Sequence, residues 1–68
     1  MDTIWVTDLI HDEDGIRGTM VKCSCHGMAV MGKSLSFSNS MLRKVTKVKD
    51  QEILVEGSDG SVLIKIIA

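Results

Sequence analysis

The chain of 68 residues has no proline, and its only aromatic residues are Trp5 and Phe37. Those deficits exclude a polyproline ligand segment and a platform on which several bases could stack. Cysteine is scarce too. Cys23 and Cys25 form an i, i+2 pair whose loop is too short to cross-link the fold usefully. A disulfide-stapled scaffold is thereby excluded, and with no signal-peptide pattern a reducing, cytoplasmic setting is expected. No hydrophobic run approaches the ~20 residues of a membrane-spanning helix, so no membrane partner is expected. Nor is either sign of charge in large excess. A formal net charge of −1 argues against strong nonspecific binding to nucleic acid, which depends on neutralising phosphates with Lys and Arg.

What is present is a strand-rich pattern, clearest over Glu52 to Ile67. Two runs rich in β-branched residues flank Gly57-Ser58-Asp59-Gly60-Ser61, a glycine-bearing turn that reads as a hairpin. The run Val62 to Ile67 is too aliphatic to serve as an exposed edge, so it should be central or buried in a dimer. Residues 3–10 read as a first strand with Ile4, Val6 and Ile10 on one face and Trp5, Thr7 and Leu9 on the other. His11 to Gly15 is a polar turn, and Ile16 to Cys23 returns as a second strand. Gly18 within it marks a bulge or a close backbone approach. Leu35 to Ser38 alternates as a short strand. Between Ser38 and Asp50 two patterns compete: a short helix near 39–48 with a Ser38-Asn39-Ser40 cap, and a strand over 43–49 favoured by Val45, Thr46 and Val48. Five methionines are expected mainly to fill the core.

The fold expected from these elements is mainly β. It is one domain over residues 1–68, an antiparallel sheet curled into a partly open barrel of SH3-like or Sm-like size. A domain this small hides only ~60% of the surface its unfolded chain exposes, so a homodimer or higher oligomer is expected to supply further burial.

Candidate chemistry is sparse. Cys23, Cys25 and His26 carry zinc-ligand atoms, but C-x-C on a strand points both sulfurs one way and the imidazole the other. Buried structural thiols are the expected state, and no metal or other cofactor is assigned. The acidic run Asp12-Glu13-Asp14 lacks the alternating ligands of a calcium loop. Gly32-Lys33-Ser34 lacks the strand and helix that frame a phosphate-binding loop. Basic residues concentrate at Arg43, Lys44, Lys47 and Lys49, and with Lys33 these are the candidate contacts for a partner or nucleic acid.

Two family resemblances bear on that group. Residues 35–66 resemble the swapped-hairpin DNA-binding fold of bacterial transition-state regulators and type II antitoxins, through Phe37-Ser38, a helix over Met41-Leu42 and Val45, Ile53-Leu54-Val55, Asp59-Gly60 and Val62 to Ile64. That resemblance implies an intertwined dimer touching DNA with Lys33, Arg43 and Lys44. Gly18-Thr19-Met20-Val21 through Met28, with Val55-Glu56-Gly57 and Val62-Leu63-Ile64, is similar to the two motifs of Sm-like barrels. This one implies RNA binding. The two exclude each other, and neither assigns the chain.

The functional expectation is a non-catalytic interaction protein that binds and modulates a larger macromolecular partner, such as a mobile-element or bacterial accessory protein. A nucleic-acid-binding regulator using the 43–49 segment and a small metal-binding domain are the alternatives.

Overall fold

The computed structural model describes residues 2–24 and 30–67. Six strands form one sheet: β1 (Asp2–Asp12), β2 (Gly15–Cys23), β3 (Ser34–Ser38), β4 (Leu42–Lys49), β5 (Glu52–Gly57) and β6 (Gly60–Ile66). Their order is β3-β2-β1-β6-β5-β4. Two three-stranded antiparallel meanders are thus joined through β1 and β6, which pair in parallel from Asp2↔Val62 to Val6↔Ile66. The sheet is therefore mixed, where an antiparallel one was expected. Joining the first and last strands this way puts β6 in the middle of the sheet. Its aliphatic residues are consequently covered on both flanks, as the run Val62 to Ile67 demanded.

Where a helix near 39–48 competed with a strand, residues 39–41 form a turn and Leu42–Lys49 a strand, and no helix occurs among the described residues. Branched Val45, Thr46 and Val48 resist the helix, while the two-residue turn Asp50-Gln51 lets β4 pair with β5 through Val45↔Val55 and Lys47↔Ile53. The serines and asparagine that could have capped a helix instead shape a turn. Met41 N donates to Ser38 O (2.9 Å) and Leu42 N to Asn39 O (3.2 Å). The helix over Met41, Leu42 and Val45 that the swapped-hairpin resemblance requires is accordingly replaced by a strand.

β3 and β4 are the two edges of the sheet, yet only residues 39–41 separate them in sequence. So short a link requires the sheet to curl until its edges approach. The bend has a visible source in β1. Asp8 has φ 56°, and the β1–β2 register slips between Thr7 and Ile10, placing one extra residue in β1 opposite Gly18. A bulge of this kind bends its strand and increases the local twist. Here it also inverts the inward-facing set: Leu9 packs against the core, whereas Ile10 is half exposed. The expected grouping of Ile10 with Ile4 and Val6 fails for that reason. A second slip, at Trp5/Val6, similarly lets both Met20 and Cys23 pack toward the core although they are three positions apart.

The core consists of Ile4, Val6, Ile16, Leu35, Val55 and Ile64, with Phe37, Leu42, Val45 and Val62 packed against it. Both meanders contribute, which is what curling achieves. Two close backbone approaches hold the curl. A Cβ on Gly15 (φ 130°) would collide with the backbone of Phe37 and Ser38, and one on Gly57 would lie 2.8 Å from Met41 O. Asn39 fastens the β3–β4 link to the first hairpin, its side-chain amide donating to Glu13 O and its N to Asp14 O. Among the described residues, Met20 packs inward, whereas Met31 is 78% exposed and Met41 41%.

Candidate functional site

The outer face of the sheet, opposite the core, carries one continuous side-chain row. Cross-strand pairing sets Lys22 of β2 beside Trp5 of β1, Trp5 beside Lys65 of β6, Lys65 beside Glu52 of β5, and Glu52 beside Lys49 of β4. Directly paired residues share a face and touch, so the row crosses five strands, about 19 Å at the usual strand spacing.

Its geometry is that of a held array. The Lys22 ammonium lies 5.0 Å from the centroid of the Trp5 ring and the Lys65 ammonium 5.7 Å, one from each neighbouring strand. Attraction of each cation to the indole face restrains two side chains that would otherwise sample many rotamers. Glu52 then links the far side, with Oε1 3.5 Å from Lys65 Nζ and Oε2 3.7 Å from Lys49 Nζ. Its side chain is only 16% exposed, and it is the one carboxylate of the row. A shallow groove of about 450 Å³ runs beside Trp5, bordered by Lys49, Gln51, Glu52, Lys65 and Ile66.

Two further rows accompany it. Thr46, Leu54, Leu63 and Thr3 lie one strand-repeat away, and beyond them Lys44, Glu56 and Ser61. Half-buried Leu54 and Leu63 form an apolar strip between two charged rows. Four lysines against two glutamates leave this face positive on a chain whose total charge is −1. The balancing acids sit elsewhere. Asp12, Glu13 and Asp14 crowd the β1–β2 turn, with Asp12 bound to Arg17 at 2.7 Å.

The basic group singled out from the sequence is not brought together. Arg43 falls in the first bulge of edge strand β4, and Lys47 shares the register of Ile53, 3.9 Å from Asp50. Lys44 and Lys49 are on the outer face. Lys33 lies in the β2–β3 connection, where its N donates to Val30 O. Lysines and bulges on an edge strand blunt its capacity to pair with other chains, and this explains the basic composition of 43–49 structurally. The residues that sequence reasoning missed are Trp5, Lys22, Glu52 and Lys65. Alternation alone could place Trp5 outward, but only the parallel β1–β6 pairing brings Lys65 to it.

Cys23, half-buried opposite Ile4, is disulfide-bonded rather than the free structural thiol expected. Cys25 and His26 lie outside the described residues. Among the described residues no group of three or more His, Cys, Asp and Glu is placed to hold a metal ion. A second cleft, of about 250 Å³, opens beside the β5–β6 turn between Ile4, Phe37, Met41, Val55 and Val62. No helix of the described residues is long and apolar enough to cross a membrane.

Comparison with known proteins adds no relative: no family model, no curated protein and no solved structure matches the chain.

Proposed function

We propose that this chain is a non-catalytic interaction protein that binds and modulates a larger protein partner through the outer face of β4, β5, β6, β1 and β2. The observation that supports this reading is the Lys22–Trp5–Lys65–Glu52–Lys49 row. An aromatic side chain clamped between ordered charges, beside an apolar strip, is the make-up of an interaction hot spot. The face is the convex outside of the curled sheet and is spread over five strands, a shape that suits a macromolecular surface better than a small substrate. Self-association through another face would leave it available.

The test is reconstitution. A partner captured from the native host is purified and its affinity measured for the wild-type chain, for Lys22→Glu/Lys65→Glu and Leu54→Asn on the outer face, and for Lys33→Glu/Arg43→Glu away from it. Loss of affinity confined to the first two variants supports the reading. Equal binding by all four would place the interface elsewhere, and turnover of a substrate by the isolated chain would end the non-catalytic assignment.

A nucleic-acid-binding regulator remains the second reading, carried by the same lysines. It is disfavoured because Glu52 and Glu56 interrupt the positive rows, and because the row's one aromatic ring is already flanked by two ammonium groups.

A further inference from the structure

Resting on that reading, we infer that the outer face recognises an acidic, aliphatic-containing segment of a protein, with carboxylates seated on Lys22 and Lys65 and aliphatic side chains on Leu54 and Leu63. Charge complementarity selects the sign. The face bears four lysines and two glutamates on a chain of net charge −1, so it is the region to which an anionic segment is drawn.

The chemistry within the face selects a peptide over a polyphosphate. Both lysine heads are held over Trp5 at 5.0 and 5.7 Å, and the Lys65 head is shared with Glu52 Oε1 at 3.5 Å. Two ammonium groups flank the ring, so stacking a base on it requires displacing them, whereas a carboxylate docks on the ammonium groups as they stand. The apolar strip of Leu54 and Leu63 lies directly beside this row in the register, two positions along each strand, or roughly 7 Å. An extended segment with an acidic and an aliphatic residue two positions apart, so that both side chains face the sheet, matches that spacing. The continuous phosphate run of a nucleic acid would meet Glu52 and Glu56 as well as the lysines, whereas a peptide can direct its few carboxylates to the Lys22 side and its aliphatic side chains to the strip.

The chain carries a built-in reporter, because Trp5 is its only tryptophan and stands in the site. The experiment titrates the wild-type chain, following Trp5 emission, with three probes: a synthetic peptide repeating Glu-Ser-Leu-Ser, the same peptide with lysine for glutamate, and oligothymidylate. Saturable change is expected with the acidic peptide alone. Lys22→Glu/Lys65→Glu should weaken that binding by about tenfold or more, and Leu54→Asn should weaken it without altering its salt dependence. Thermal melts of each variant separate lost binding from lost folding. Tighter binding of oligothymidylate than of the acidic peptide would overturn the inference in favour of nucleic acid. Absence of any response to the acidic peptide would overturn it too. If the captured host partner still requires Lys22 and Lys65 while the acidic peptide fails, the inference falls and the broader reading stands. Should the host partner ignore the outer face, the broader reading itself falls.

Discussion

Trp5 and Lys65, from opposite ends of the chain, are directly paired across the parallel β1–β6 ladder, with the Lys65 ammonium 5.7 Å from the indole centroid. The pairing that closes the architecture is thus the one that assembles the outer row. Lys22, from the other side of β1, completes the clamp at 5.0 Å.

These contacts are exposed enough to contribute little to folding. Lys22→Ala and Lys65→Ala should each cost no more than about 1 kcal/mol, the range of solvent-exposed cation–π and ion pairs. Urea denaturation measures this, and the emission of Trp5 should shift to longer wavelength as the ring is uncovered. A loss above about 3 kcal/mol would mean that the row is a structural brace and not an available surface.

Ile64 presents the opposite case. It is fully buried in central strand β6, opposite Ile4 and Ile53. Ile64→Ala should cost about 2–5 kcal/mol, a large share of what a domain this small can hold. Removal of Val62 to Ala68 deletes the strand that joins the two meanders, so circular dichroism should show an unfolded chain.

The bend in β1 makes a conformational demand at Asp8, whose φ of 56° lies where most side chains are strained. Asp8→Val adds a β-branched side chain there and should destabilise by about 1–2 kcal/mol. Asp8→Gly and Asp8→Asn should remain near wild type in the same thermal melts. If Val were tolerated as well as Gly, the bulge would not depend on that conformation.

Gly15 is harder to replace. Its φ of 130° and the 2.0 Å separation that a Cβ would have from Phe37 O leave no room for alanine without moving β3. Gly15→Ala should cost about 3 kcal/mol or more, with accelerated amide exchange across the β2–β3 pairing. A variant that melts like the wild type would show that β3 can shift freely.

Edge strand β4 supplies a test of a different kind. Lys44→Val/Lys47→Val should keep the melting temperature within a few degrees while increasing light scattering on concentration, because the lysines guard an unpaired edge. Unchanged solubility would show that Lys44 and Lys47 do not protect the edge.

Much of the architecture was legible locally. The Asp59-Gly60 hairpin, the polar turn before Ile16 and the mainly β class each follow from neighbouring residues, because turn chemistry and alternation act over a few positions. Segment 39–48 was legible only as a competition. Its apolar spacing suits a helix and its branched residues suit a strand, and pairing with β5 decided between them.

The amino-acid order by itself determined a small β domain, the positions of its tight turns, and an aliphatic last strand that had to be covered. Tertiary structure alone decided how that covering is achieved, through the parallel pairing of β6 with β1, and which residues face out together. Strand register is the physical reason. A single extra residue at Asp8 sends Leu9 inward and Ile10 outward, and a long-range ladder sets Lys65 beside Trp5. Neither event leaves a mark in local composition, so the most basic segment drew attention at the sequence level while the outer row at Trp5 emerged only when the sheet was assembled.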